Sequence, residues 1–181
     1  MQKLFKKNHK KIGILGGTFD PPHLGHLHIS KIALKKLKLD SLIWIITKQN
    51  PLKQKPYLST RTRMKLSKDI TKNQKKIFVK CLDDKIKSKN TFDLLNYLKK
   101  KNKKIKLFFL IGADNLIKFH KWNRWKKIPE LAKIVVFART NCAIKAFNSI
   151  ASKKLKKRDW MYINSKKMNI SSSLIRKFSI T

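Results

Sequence analysis

Hydrophobic residues recur along this chain in short continuous runs, separated by segments whose apolar positions have helical spacing. The runs lie at 12–15, 41–47, 76–80, 105–111, 133–139 and 159–163. Continuous apolar runs, as opposed to alternating patterns, are typical of strands covered on both faces. Helices are predicted at 27–37, 59–70, 90–98 and 143–155, with a short helical region before Leu131 and a last helix opening at Ser171. Strands that alternate with helices predict a parallel α/β sheet in one domain.

The first predicted strand runs directly into a glycine turn and then a helix. The turn is Gly16-Gly17-Thr18-Phe19-Asp20-Pro21-Pro22-His23-Leu24-Gly25-His26. Glycines let the backbone approach a ligand closely, and the first N–H groups of a helix have no intrahelical partner, so this turn can hold phosphate. His23 and His26 can donate hydrogen bonds to a phosphoryl oxygen or neutralise charge developing there. The stretch is neither a Walker loop nor Gly-x-Gly-x-x-Gly.

Three further segments fall at the carboxyl ends of predicted strands, where open parallel sheets bind ligands. They are residues 48–55, residues 112–125 and the loop into Ser171. In the last segment, Ser171, Ser172 and Ser173 can cap a terminal helix. The same hydroxyl and N–H groups can hold phosphate oxygens, with Arg176 one turn further on. From the residues alone, the structural and the functional interpretation stay equally open.

The chain also carries a strong positive charge. The chain has 181 residues, with 46 Lys and Arg against 9 Asp and Glu, for a formal net charge of +37. Such a charge favours anionic partners, either small phosphorylated substrates or a polynucleotide. Because the cations are mostly lysine and are spread over nearly every segment, the first alternative is favoured. Residues 1–10 are basic and are expected to form a flexible N-terminal arm.

The cysteines and the hydropathy indicate the compartment in which the protein is expected to lie. Cys81 and Cys142 are isolated, so neither a zinc site nor a structural disulfide is expected. The run at 12–15 is too short for a signal-peptide core, and no run approaches the length of a membrane span. We therefore expect a cytoplasmic protein without a membrane partner, while the oligomeric state stays open.

Two motifs carry a resemblance to a known superfamily. Residues 16–26 resemble the His-x-x-His (HxGH) element of nucleotidyltransferases, and 170–176 resembles their Ile-Ser-Ser-Thr-x-Ile-Arg element, with Ser173 in place of Thr. Nearly the whole chain resembles the bacterial nicotinate-nucleotide adenylyltransferases. The segment 50–53, Asn-Pro-Leu-Lys, resembles a shortened form of that family's Asn-Pro-Pro-His-Lys loop without its histidine. The Gly-Ala-Asp at 112–114, followed by two tryptophans, also resembles the family.

The resemblance implies a Rossmann-like, doubly wound sheet that transfers the adenylyl group of ATP to nicotinate mononucleotide and releases pyrophosphate. It implies catalytic roles for His23, His26 and Arg176. The residues implied to bind ATP are Gly16, Gly17, Thr18, Phe19, His23, His26, Gly112, Asp114, Ser171, Ser172, Ser173 and Arg176. Those implied to bind the mononucleotide are Lys53, Thr91 and Trp122. Mg²⁺ is expected to arrive with ATP, without a dedicated protein site.

Alternatives remain within and outside this class. Nicotinamide mononucleotide or phosphopantetheine could be the acceptor, although phosphopantetheine enzymes generally have Thr or Ser in place of His23. An RNA-binding protein would instead need basic clusters interleaved with aromatic residues, or an RNA-binding module, and neither is present. Asp20 is expected to stabilise a turn, and Trp125 is expected to be only a core residue.

Overall fold

The structure is a computed structural model that describes residues 11–52, 54–164 and 172–178, without the side chains of 177 and 178. Its strands are β1 (Lys11–Gly17), β2 (Ser41–Ile46), β3 (Ile77–Lys80), β4 (Lys106–Gly112), β5 (Ala132–Phe137) and β6 (Trp160–Ile163). Its helices are α1 (Leu24–Lys36), α2 (Thr60–Thr71), α3 (Asp83–Ile86), α4 (Thr91–Lys101), α5 (Ala113–Lys118), α6 (Ile128–Leu131), α7 (Ala143–Phe147), α8 (Ile150–Lys154) and α9 (Ser172–Phe178). Short 3-10 helices at Phe119–Lys121 and Trp125–Lys127 connect α5 to α6.

The strands form one parallel sheet in the order β3-β2-β1-β4-β5-β6. This confirms the predicted doubly wound α/β sheet. Every residue of β2 is buried, as its continuous apolar run predicts. Helices α1 and α2 contribute to the core on one face of the sheet, and α4 to α8 contribute to the core on the other. Ile14 and Leu15 belong to different cores, because successive side chains of a strand point to opposite faces.

The order of the strands reverses between β1 and β4. From β1 the chain adds β2 and β3 on one side, and from β4 it adds β5 and β6 on the other. Loops leaving neighbouring strands diverge at such a point and leave a crevice. The register pairs Leu15 with Leu110, so the final glycines of the two strands, Gly17 and Gly112, lie at the same level. The segments that follow β1 and β4 therefore border one crevice.

Helix α1 begins at Leu24, three residues before the predicted start at Leu27. His23 is its N-cap residue, and the His23 carbonyl accepts a hydrogen bond from His26 N at 2.9 Å. In return, Nδ1 of His26 accepts a hydrogen bond from His23 N at 3.2 Å. This reciprocal contact starts the helix earlier than its apolar spacing indicates, and it places His26 in the first turn.

The segment predicted to be helical over 143–155 is helical but interrupted. The structure has two short helices there, α7 and α8, separated at Asn148 and Ser149. The Ser149 hydroxyl accepts a hydrogen bond from Ser152 N at 3.2 Å and so caps α8. A serine that bonds to the backbone in this way competes with continuation of the preceding helix. Helix α3 was not predicted, because four residues are too few to show a period.

Candidate active site

A cavity of about 1090 Å³ opens at the carboxyl ends of the strands. It is lined by residues that follow β1, β2, β4 and β5, together with the start of α9. The predicted site residues that line it are Gly16, Gly17, Thr18, Phe19, His23, His26, Thr91, Gly112, Asp114, Trp122, Ser172, Ser173 and Arg176. Lys53 and Ser171, also predicted, and the basic arm at 1–10 lie outside the described residues. The fold thus brings together segments separated by more than a hundred positions in the sequence.

The two motif histidines lie against each other at the mouth of α1. Their ring centroids are 3.8 Å apart. Because Nδ1 of His26 accepts the hydrogen bond from His23 N, a neutral His26 ring carries its proton on Nε2. The His26 ring also packs against Phe19 and Trp44, with centroids 4.7 and 5.8 Å away. Its orientation is therefore fixed by packing on one side and by a backbone hydrogen bond on the other.

Two buried side chains, Trp44 and Ser30, fix the backbone of His26 through consecutive hydrogen bonds. The indole Nε1 of Trp44 donates a 2.9 Å hydrogen bond to the Ser30 hydroxyl. That hydroxyl in turn donates to the His26 carbonyl at 2.7 Å. Trp44 and Ser30 are both fully buried, so this chain fixes the first turn of α1 against β2.

His23 is the more buried of the pair, with 5% of its surface exposed. Burial, together with the positive charge of Arg139, lowers the pKa of His23 from 6.5 to about 4. Its Nδ1 is buried without a hydrogen-bond partner among the described residues. At neutral pH the ring is therefore uncharged and retains an unused polar atom.

Phe19 gives the turn after β1 its shape. Its φ of 51° lies in the left-handed region, which costs a non-glycine residue on the order of 1 kcal/mol. The ring is 2% exposed and stacks on Trp44 with centroids 5.0 Å apart. Burial of a phenylalanine contributes about 2 kcal/mol or more, which exceeds the conformational cost.

Asp20 stabilises a turn, as predicted. Its carboxylate is buried and accepts hydrogen bonds from Tyr57 N at 2.8 Å and Leu58 N at 2.9 Å. It therefore attaches the end of the loop between β2 and α2 to the turn after β1. Both carboxylate oxygens are occupied by these N–H groups.

Helix α9 packs against the same turn through polar contacts. Arg176 Nη1 donates a hydrogen bond to the Asp20 carbonyl and lies 3.7 Å from the Asp20 carboxylate. Arg176 Nη2 donates to the Ser173 hydroxyl at 3.3 Å, and the guanidinium lies 5.5 Å from the Tyr57 ring centroid. The Ser172 hydroxyl donates to the Pro21 carbonyl at 2.7 Å. Because that proton is already used, Ser172 has only its backbone N–H left to donate to a phosphate.

The tryptophan segment has one residue at the cavity. Trp122 lines it and packs against Phe119 and Phe109, with centroids 5.0 and 5.9 Å away. Trp125 packs edge-on against Phe119 at 6.2 Å and is not among the lining residues. Trp122 therefore borders the cavity, and its role towards the substrate stays a prediction.

Arg139 is a charged group of the site that the sequence analysis did not single out. It follows β5, lines the cavity, and its Nε lies 3.6 Å from Asp114 Oδ1. A Cβ atom at Gly112 would collide with the same oxygen, so a larger residue there would displace the Asp114 carboxylate. The rule that ligands bind beyond strand ends, applied to β5 as well, would have identified Arg139.

Over 11–52, 54–164 and 172–178, no group of three or more His, Cys, Asp or Glu side chains is placed to hold a metal ion. Within the same ranges, no helix combines the length and the apolarity needed to cross a membrane.

Comparison with known proteins places these features in a family. A family model described as cytidylyltransferase-like matches residues 14–178. A probable nicotinate-nucleotide adenylyltransferase from Pelagibacter ubique (strain HTCC1062) is 48% identical over 167 residues, which cover 92% of each chain. A protein of the same name from Ruegeria sp. (strain TM1040) is 37% identical over 142 residues, or 78% of this chain and 75% of the relative.

A solved structure has the same fold. It is the Plasmodium falciparum nicotinic acid mononucleotide adenylyltransferase complexed with NaAD, with a TM-score of 0.72 and 24% identity. The match covers 94% of this chain and 84% of the other. By its sequence matches, the chain belongs to the nicotinate-nucleotide adenylyltransferase family of cytidylyltransferase-like proteins.

Proposed function

We propose that this chain transfers the adenylyl group of ATP to nicotinate mononucleotide, giving nicotinate adenine dinucleotide and pyrophosphate. The observation that carries the proposal is the convergence of both phosphate motifs with Thr91 and Trp122 around one cavity. Family membership supports the same reaction, a step of NAD biosynthesis. The proposal includes the cytoplasmic location expected from the sequence.

The reaction requires positioning and charge stabilisation. An oxygen of the mononucleotide phosphate forms a bond to the α-phosphorus of ATP. The bond from that phosphorus to the α–β bridging oxygen breaks, and pyrophosphate leaves with the electron pair. In-line transfer of this kind needs no covalent nucleophile on the protein.

The two histidines act on the charge that develops at the α-phosphoryl group. His26, whose Nδ1 is held by His23 N, donates from Nε2 to an α-phosphoryl oxygen. His23 is neutral in the free protein and gains a partner for its buried ring nitrogen when the triphosphate binds. Donors fixed in advance stabilise the transition state without a cost of reorganisation.

The outer phosphates are bound by the start of α9 and the glycine turn. Arg176 already uses part of its guanidinium on Asp20 and Ser173, and its remaining N–H groups are available to the β- and γ-phosphates. Ser172 and Ser173, in the first turn of α9, contribute backbone N–H groups. Thr18, which follows β1, is assigned to the same phosphates by the motif. Ser171, which lies outside the described residues, is assigned to the same group by the motif.

Mg²⁺ enters as part of the ATP substrate. Three carboxylates line the cavity. Asp20 accepts two backbone N–H groups, and Asp83 accepts the Thr47 hydroxyl and Lys48 N. Asp114 Oδ1 lies 3.6 Å from Arg139 Nε and has no hydrogen-bond partner among the described residues. In keeping with the resemblance, the proposal assigns no protein ligand to the metal.

The acceptor binds between Trp122 and Thr91, with Lys53 on its phosphate. A pyridinium ring stacked on the Trp122 indole gains on the order of 0.5–2 kcal/mol from cation–π attraction, whether it carries an acid or an amide. Discrimination comes from donors such as the Thr91 hydroxyl, because a carboxylate only accepts hydrogen bonds. An amide NH₂ placed against those donors costs about 1–3 kcal/mol for each group left unpaired.

A substrate panel tests the proposal. The protein is incubated with ATP, Mg²⁺ and each of nicotinate mononucleotide, nicotinamide mononucleotide and phosphopantetheine, and pyrophosphate release is followed. We expect kcat/KM to be at least tenfold higher for nicotinate mononucleotide than for the amide. Trp122→Ala should lower kcat/KM for both mononucleotides alike and leave their ratio intact, whereas Trp125→Ala, the matched control, should leave both values near those of the wild type. Equal efficiency with acid and amide would contradict the acceptor assignment and leave adenylyl transfer standing.

A further inference from the structure

Arg63 on α2 is a fully buried cation. It belongs neither to the two phosphate motifs nor to the residues proposed to bind the acceptor. It is 1% exposed, and it is not among the residues that line the cavity. None of the ion pairs found among the described residues includes it. A buried charge without an ion pair is costly unless hydrogen bonds satisfy it, so the partners of this guanidinium define its role.

All five N–H groups of the Arg63 guanidinium are used. Nε donates to the Leu58 carbonyl at 3.0 Å, and Nη1 donates to the carbonyls of Thr18 and Thr47 at 2.6 and 2.7 Å. Nη2 donates to the Lys48 carbonyl at 3.1 Å and to the Thr60 hydroxyl at 2.9 Å. A guanidinium has five donors in a fixed planar arrangement, whereas a lysine has three on one nitrogen. No other side chain could satisfy these five oxygens at once.

The oxygens that Arg63 binds come from the turn assigned to ATP, from the loop between β2 and α2, and from Thr60 at the start of α2. Thr18 belongs to the glycine turn that is assigned to ATP. Thr47, Lys48 and Leu58 lie at the two ends of the loop between β2 and α2, and residues 50–52 and 54–57 of that loop line the cavity. Asp20 and Asp83 hold N–H groups at the same two ends of that loop. Through one rigid group, Arg63 contacts the turn at 16–26, here called the ATP turn, and both ends of the loop at 47–58, here called the acceptor loop.

We propose that Arg63 is a positioning residue that sets the distance between the ATP turn and the acceptor loop. It touches neither substrate. It acts through Thr18 on one side and through Thr47, Lys48 and Leu58 on the other. In-line transfer depends on the separation of the attacking oxygen and the α-phosphorus, and displacements near 1 Å can cost about 10²-fold in rate. This inference rests on the proposed function, because it requires two substrates bound by these two segments.

The test compares Arg63→Lys with Arg61→Lys, a matched control in which an exposed arginine of the same helix is changed. The concentration of folded protein is measured by near-UV circular dichroism, and kcat is expressed per folded molecule. We expect Arg63→Lys to lower kcat at least tenfold, while KM for ATP changes less than threefold, because the ATP turn itself remains. Arg61→Lys should match the wild type. A kcat for folded Arg63→Lys within twofold of the wild type overturns the proposal, because a purely structural role would change only the folded fraction.

A second variant decides the question if Arg63→Lys does not fold. Arg63→Gln places no charge in the buried site and keeps a planar amide with two donors, so it can make at most two of the five hydrogen bonds. A tenfold or greater loss of kcat per folded molecule supports the proposal, and a kcat within twofold of the wild type overturns it. Both variants are assayed with whichever phosphate acceptor the wild type uses. Failure of the proposed function would appear in the wild type as activity with another acceptor, whereas failure of the positioning role would appear only in the variants.

Discussion

The low pKa of His23 makes a quantitative prediction about stability. In the folded protein, the pKa falls from 6.5 to about 4, because the ring is buried and Arg139 lies nearby. Between these pH values the unfolded chain binds a proton at this site and the folded protein does not. The free energy of unfolding therefore decreases as the pH falls from 6.5 towards 4. At about 1.36 kcal/mol for each pKa unit, His23 should cost the folded state about 3 kcal/mol by pH 4.

The measurement is urea unfolding of the wild type and of His23→Gln at several values between pH 4 and 7.5. Glutamine has a similar polar side chain but does not titrate, so the difference between the two proteins isolates His23 from the carboxylates that titrate in the same range. We expect the wild type to lose about 3 kcal/mol relative to His23→Gln between pH 6.5 and pH 4.

An NMR titration of the His23 ring checks the cause. The pKa should be near 4 in the wild type, and Arg139→Gln should raise it, because that variant removes the smaller of the two effects. A pKa of 6 or higher in the folded wild type, or a stability difference that does not change with pH, would refute the reasoning.

Three other measurements test the remaining contacts. His26→Ala should lower kcat by about 10²-fold in a folded protein. Its matched control is Lys31→Ala, which changes an exposed residue of α1 that does not line the cavity. Equal rates in the two variants would exclude His26 from the mechanism. Asp20→Asn should lower the free energy of unfolding, measured in urea, by about 2–4 kcal/mol. The reason is that the amide NH₂ would face one of the N–H groups of Tyr57 and Leu58. A loss below about 1 kcal/mol would contradict the role given to the Asp20 carboxylate. Raising the KCl concentration should gradually increase KM for ATP at constant kcat if the charge of +37 only attracts substrates, whereas steep salt-dependent binding of RNA would indicate a polynucleotide partner.

Local patterns in the sequence were sufficient to predict the sheet. Continuous apolar runs such as 41–47 predict buried parallel strands, because only a sheet covered on both faces can bury every residue of a strand. The glycine turn, the two histidines and the serines before Arg176 could also be identified, since each is a short motif whose residues lie close together in the chain. The rule that ligands bind beyond strand ends then predicted that these motifs would share one cavity, as the structure shows.

Tertiary structure alone decided which of these residues hold the site together. Nothing near Arg63 in the sequence distinguishes it from Arg61, yet one is fully buried with five oxygens around it and the other is exposed. Likewise, the low pKa of His23 depends first on burial by the packed segments and then on Arg139, which lies more than a hundred positions away. The engagement of Ser172 depends on a carbonyl at Pro21. Apolar patterns specify strands and helices through local spacing, whereas desolvation and the hydrogen-bond partners of a buried charge exist only once distant segments have packed.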